Sequence, residues 1–287
     1  MASVLGRRLA ACGIPIAAVL SRRLGPARDL ADRVEAAVAS TAWSDLPRSV
    51  RVVFLCVPDD AIGSVAEALS EVPHAWDETR VAHTSGALSA AELAALAHVG
   101  AQTFSFHPMQ TLTPESSPHV LQDIVVGIEG DSLAVDYGEQ LARRVGAIPV
   151  RLSTDEKVRY HAAAVLASNG LVALMGAATE MLETAGIDSD TARRMLTPLL
   201  QQTVANLSTD APERVLTGPA VRGDVGTIHA HLQAVDAHGP ALRPLYVALS
   251  NQMLRLAASA DRLPQAQRDA VRAVWASDAS SSSTASG

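Results

Sequence analysis

The chain has 287 residues, enough for two ordinary domains; 48% are apolar and only 3% aromatic, so any core is aliphatic and a disordered chain is excluded. A formal net charge of −7, with no basic stripe, argues against nucleic acid as a partner. The two cysteines, Cys12 and Cys56, lie in apolar runs without metal-ligand spacing and read as reduced core residues of a cytoplasmic protein.

Arg7-Arg8 precedes an apolar run over residues 9–20, but Gly13 and Pro15 break it. It ends in Ser21-Arg22-Arg23 without a small-residue cleavage site, unlike an export signal. No segment reaches about 18 uninterrupted apolar residues, so no membrane span is expected. Residues 3–12 read as a helix ended by Gly13, residues 14–20 as a strand, and residues 26–38 as a helix with Leu30, Val34 and Val38 recurring every fourth position. Residues 50–57, VRVVFLCV, form a continuous apolar run, as in a parallel strand buried on both faces. A helix to Ser70 follows, then a short strand at 80–83, a turn at Thr84-Ser85-Gly86, and a helix opened by Ser89 and Glu92 as a capping box. Strands at 102–106 and 123–128, a helix at about 131–145 and a last strand at 147–152 complete the first half. Its alternation of strand and helix is that of a doubly wound parallel sheet.

From residue 153 the pattern changes. Ser153 and Glu156 form a second capping box, and helical periodicity continues to about 276, interrupted only by Gly and Pro. The sequence thus predicts an α/β dinucleotide-binding domain over residues 1–152, an all-α domain over 153–276, and a Ser-rich disordered tail over 277–287. A doubly wound domain normally opens with a strand and a Gly-rich turn into its first helix. Here both are missing ahead of residue 3, so the expectation is that they lie upstream of Met1.

Ligands of such sheets bind beyond the carboxyl ends of the strands, which singles out three turns. Ser21, Arg22 and Arg23 follow the first strand; Ser and Arg suit a 2′-phosphate, and so NADP, although a solvated loop explains them too. Val57 and Pro58 follow the next strand, and Thr84, Ser85 and Gly86 the one after; these are the remaining candidate cofactor contacts. His107 ends a further strand. On the helix after residue 153, Lys157, His161 and Ser168 fall within roughly 40° of one another, with Asn169 at about 80° from His161. A cation and an imidazole on one face amid Ala and Val call for a partner, or else Lys157 is simply solvated. A cleft-facing Lys could donate a proton to a carbonyl oxygen. His229 and His231, two apart on a helix, point to different faces, so no metal site is expected.

The segments VFLCVPDDAI, HTSGALS, FHPMQT, DEKVRYHAAAVLASN and TGPAVRGD, in this order, resemble the Rossmann-like proteins with a C-terminal helical domain of unknown function. These are relatives of the 6-phosphogluconate dehydrogenase C-terminal-domain superfamily, and the likeness covers residues 3–260. The resemblance implies an NADP-dependent oxidoreductase acting on a small molecule, with a ketopantoate-like keto acid among the candidate substrates, and a homodimer formed through the helical domain. It maps the superfamily's substrate-protonating Lys and Asn onto Lys157 and Asn169, with His161 orienting substrate and His107 lining the site. The rival expectation is a non-catalytic NADP- or ligand-binding dimer.

Overall fold

The computed structural model describes residues 1–239 and 241–277. Two compact units divide the chain, Met1–Gly170 and the part from Leu171 onward.

The first unit runs α1 (Ala2–Ala11), β1 (Ala18–Leu20), α2 (Leu24–Val34), β2 (Val38–Ser40), β3 (Val52–Leu55), α3 (Ile62–Ser70), β4 (Arg80–His83), α4 (Ala94–His98), β5 (Gln102–Pro108), β6 (Val125–Gly130), α5 (Ser132–Arg144), β7 (Ile148–Arg151) and α6 (Thr154–Ala167). Most elements fall where apolar periodicity puts them. One does not: the helix expected over 26–38 stops at Val34, Glu35 turns left-handed at φ 55°, and the chain re-enters the sheet as β2. Three residues, Val-Ala-Ser, carry too little β-branched pattern to announce a strand.

The sheet is parted. β1 pairs in parallel with β2 alone, while β3, β4, β5, β6 and β7 form a separate five-stranded sheet in that order. Leu20 of β1 nevertheless packs into the same cluster as Val53 and Val57, so the unpaired edges of β1 and β3 share a core. Within the larger sheet β3, β4 and β5 are parallel, but β6 runs antiparallel to β5. The expected parallel-dominated sheet is present, with the β5–β6 pairing as its antiparallel step. A crossover helix is needed to bring the next strand back in parallel, and between β5 and β6 the chain has only a short 3-10 turn.

All three phenylalanines, Phe54, Phe104 and Phe106, meet edge to face at 5.6–6.5 Å between ring centroids, under α1 and α5. The aliphatic core is built around them, since such pairs add specific geometry to area burial. The capping box expected at Ser153 and Glu156 is formed, and it starts α6 directly after β7. α6 packs against β6, so it belongs to the first compact unit and not to the second.

The second unit is helical among its described residues: α7 (Asn169–Thr184), α8 (Ser189–Leu207), short α9 (Pro212–Val215) and α10 (Pro219–Arg222), α11 (Val225–His238), α12 (Leu242–Ser259) and α13 (Gln265–Ser277). α10 to α13 enclose a core of Val221, Ile228, Leu232, Leu254, Leu263 and Val271. α7 buries none of its side chains and α8 only Ala192. By length and composition the stretch Thr154–Thr184 contains an 18-residue window apolar enough to cross a membrane, with a mean hydropathy of 1.6. Averaging over its many Ala and Val residues tolerates charges that a count of uninterrupted apolar residues does not. The predicted tail lies outside the described residues from 278 on; Ser277 closes α13.

The β5–β6 pairing depends on Gly130, held at φ 139°, where a Cβ would lie 2.5 Å from the Thr103 carbonyl oxygen and 2.6 Å from Phe104 Cα. Neither backbone atom can step aside. Gly130→Ala is therefore expected to cost about 2–4 kcal/mol, read as a lowered urea midpoint. An unchanged midpoint would show this pairing to be looser than the geometry requires.

Candidate functional site

α6 lays its polar face on the sheet, one contact per turn. Thr154 donates to Glu129 Oε1 of β6 at 3.0 Å. One turn on, Lys157 Nζ donates to the Ser85 carbonyl oxygen at 2.9 Å and to Ser105 Oγ of β5 at 2.8 Å. The next turn brings Tyr160, whose hydroxyl donates to the His107 carbonyl oxygen at 3.2 Å, and His161, whose ring lies 5.6 Å from that of His107. At the helix end, Ser168 and Thr111 hydroxyls pair at 2.8 Å. Lys157 is 1% exposed. Burial pulls its pKa from 10.5 to about 8, against the opposing pull of the Glu129 and Asp59 carboxylates.

The turn after β4 forms the floor. His83 is buried, accepts from the Ser85 N–H at Nδ1 and contacts the Ser89 carbonyl oxygen through Nε2 at 2.9 Å, which fixes its Nε2–H tautomer. Burial lowers its pKa, so it stays neutral. Ser85 Oγ donates to Asp59 at 2.9 Å and accepts from the N–H groups of Ala87 and Leu88. Its hydroxyl is thus spent on shaping the turn. Gly86 has no room for a side chain: a Cβ would stand 2.8 Å from His107 Nε2 and closer still to His161 Nδ1. That His161 nitrogen is buried and has no hydrogen-bond partner. Burial, followed by the charge of Lys157, lowers the His107 pKa to about 4, so its imidazole is neutral. Tyr160, raised by burial to about 12, keeps its proton.

Lys157, His161, His107, Ser85 and Gly86 therefore come together. Asn169 makes no hydrogen bond to them among the described residues: it is exposed at the start of α7, beyond the end of α6 at Ala167. Four participants escape sequence reading, namely Ser105, Glu129, Asp59 and Tyr160. Ser105 and Glu129 sit within β5 and β6, where alternation alone does not set a polar residue apart. One signal was available: Lys157 is the only lysine in the chain, against 22 arginines.

For a dinucleotide, the carboxyl ends of β1, β3 and β4 offer Ser21-Arg22-Arg23, Val57-Pro58 and Thr84-Ser85-Gly86. Arg22 and Arg23 are exposed and make no hydrogen bond or ion pair among the described residues, so both guanidinium groups are free for a phosphate. These residues fit the 2′-phosphate end of NADP.

Family models match a Rossmann-like domain over residues 3–108 and a domain of unknown function, DUF2520, over residues 124–253. No curated protein matches the chain in sequence. Protein TM1727 from Thermotoga maritima is 26% identical, with 90% of this chain and 96% of that one covered at a TM-score of 0.73. The Bacteroides fragilis protein BF3122, provisionally designated an NADP oxidoreductase, is 25% identical over 88% of this chain and 94% of its own, at 0.72. A reductive aminase from Aspergillus terreus, solved with NADPH and ethyl-5-oxohexanoate, is 15% identical over 89% and 90%, at 0.63; that likeness is one of fold. The chain thus matches a Rossmann-like domain in its first part and the DUF2520 domain in its second, in that order.

Proposed function

We propose that the chain is a cytoplasmic, NADP-dependent reductase of a small keto acid or related carbonyl compound, with Lys157 as its proton donor. The observation that carries this reading is the burial of the only lysine beside the carboxyl ends of β4 and β5, at a pKa of about 8. Strongly shifted groups at such a sheet edge are those matched to proton transfer near neutrality. BF3122, a provisional NADP oxidoreductase similar over 94% of its chain, supports the cofactor, as do the free guanidinium groups of Arg22 and Arg23.

Two of the three Lys157 N–H bonds are taken by Ser85 and Ser105, which leaves the third to donate to a substrate oxygen. Neutral His107 and the unpaired His161 nitrogen orient that oxygen by hydrogen bonds, while Gly86, lacking a side chain, leaves both rings the space they occupy. The bound nicotinamide supplies the hydride. Because Lys157 must carry its proton, kcat/KM for NADPH oxidation is expected to fall as pH rises through about 8. Lys157→Gln should lose about 10²–10⁴ in kcat while NADPH still binds. A keto-acid panel that includes a ketopantoate-like acid decides the substrate. Tight NADPH binding with no turnover of any of them would establish the non-catalytic alternative instead.

Replacing Arg22 and Arg23 together by Ala removes charge-assisted contacts and is expected to weaken NADPH binding about ten- to a hundredfold, with NADH binding nearly unchanged. Fluorescence titration with both cofactors checks this, and equal losses would refute the 2′-phosphate assignment.

We also propose that a second copy of the chain covers α7 and α8. Val172 on α7 is 73% exposed and Leu199 on α8 is 66% exposed, with Met195, Val204 and Leu207 exposed beside it. The α8 residues lie on more than one side of the helix, at about 100° per residue, which suits a helix embraced by another chain. Arg193, Arg194, Gln201 and Gln202 interleave with them, and a bilayer core would not take those groups. Leu199→Glu is expected to turn a dimer into a monomer in analytical ultracentrifugation. A wild-type monomer that floats with lipid vesicles would overturn this and favour a membrane.

A further inference from the structure

The charge on Lys157 has no direct counter-ion. Its ammonium touches a hydroxyl and a carbonyl, and the nearest buried carboxylate, Glu129, stands on the far side of Ser105. Glu129 is itself buried and fully engaged. Oε1 accepts from Thr154, and Oε2 accepts from the Ala90 N–H at 2.9 Å and, more distantly, from Ser105 Oγ at 3.5 Å. Three separate elements, β5, β6 and the first turn of α6, are needed to assemble this line of groups, and none of its hydrogen bonds repeats the sheet or helix ladder. A buried carboxylate is costly unless it has a charge to answer.

We propose that Glu129, through the hydroxyl of Ser105, is the positioning residue that sets the protonation of Lys157. Resting on the reductase reading above, it makes Lys157 a proton donor rather than a neutral amine at working pH. The Ser105 hydroxyl accepts a hydrogen bond from the ammonium and donates its own hydrogen to Glu129, so its orientation is dictated from both ends. The same path can relay a proton with the net charge of the trio unchanged: one Lys157 N–H bond breaks as the Ser105 oxygen takes that proton, and the proton Ser105 held goes to Glu129 Oε2. The trio changes from ammonium and carboxylate to amine and carboxylic acid. An interposed hydroxyl explains why the lysine is not locked as a permanent cation, as a direct salt bridge would lock it. The other titratable groups around Lys157 are Asp59 after β3, His83 on β4, His107 on β5 and His161 on α6 itself. Among them only Asp59 is a second carboxylate, and its Oδ2 is bonded to Ser85 Oγ.

The chain's single lysine makes the test direct, because lysine labelled with ¹³C and ¹⁵N gives a single side-chain Nζ resonance. Its titration midpoint is expected near 8 in the wild type. Glu129→Gln removes a negative charge roughly 6 Å away and should lower that midpoint by about one to two pH units at an effective dielectric near 20. Ser105→Ala should lower it as well and stands alone if Glu129→Gln does not fold, while Glu129→Asp should restore most of it. A midpoint unmoved in Glu129→Gln and Ser105→Ala overturns the proposal. This readout needs no substrate. A shifted midpoint in a protein that reduces nothing would refute the reductase reading and leave the Glu129 coupling standing. If turnover is found, the alkaline limb of kcat/KM should move to lower pH in step with the lysine midpoint.

Discussion

An ammonium group can be buried only if its N–H bonds find acceptors and a negative charge lies close, and much of the first unit's construction answers that requirement around Lys157. The capping box at Ser153 and Glu156 fixes where α6 begins, and so which residue faces Ser105 one turn later. The Ser85 carbonyl is aimed by a turn that His83, Asp59 and the N–H groups of residues 87 and 88 hold in shape. The arrangement stabilises position rather than fold. With a folded pKa near 8 against 10.5 ordinarily, the folded state binds the proton less well than the unfolded one. The charged lysine is therefore a full cost to stability below pH 8, relieved as pH rises from 8 toward 10.5. A group kept at a cost to stability is one that the site uses.

That choice turns α6 inside out. A helix on a sheet normally buries its apolar face, but here Thr154, Lys157, Tyr160 and Ser168 make the contacts while Val158 and Leu166 stand exposed, Leu166 at 76%. The polar contacts hold the helix in one register, since Thr154 meets β6, Lys157 and Tyr160 meet β5, and Ser168 meets Thr111 in the loop beyond it. The apolar residues on its other side gain nothing from the sheet. α7 and α8 show the same excess of exposed apolar side chains, and such surface on a free monomer is larger than water tolerates cheaply.

How far the residues announce all this depends on the range of the interaction. Local signals were readable: the apolar run of β3, the cap of α6, and the stripe that puts Lys157 and His161 on one helical face. Elements held by neighbours in space were not. β2 is a strand because β1 offers it an edge, and β6 reverses because the chain before it makes no helix. Ser105 and Glu129 look like any alternating polar residue in a strand until β5 and β6 are paired, whereupon they stand directly opposite each other. Asn169 shows the opposite limit of a local signal. Angular position on a helix says nothing of distance along it, and twelve residues carry Asn169 away from Lys157.

The composition carries one further argument. Arginine occupies 22 of the 23 basic positions, including partly buried and structural ones such as Arg8, whose guanidinium donates to the Val145 carbonyl oxygen at 2.8 Å. Where this chain needs a fixed cation it uses a group that does not titrate. The one position that departs from this is also the most completely buried of its cations, beside a hydroxyl that can take a proton from it. An arginine at 157 would supply the charge, with more hydrogen bonds, and could never give that charge up. The demand at that position is therefore for a cation that can become neutral, which separates a site that moves protons from one that only holds an anion.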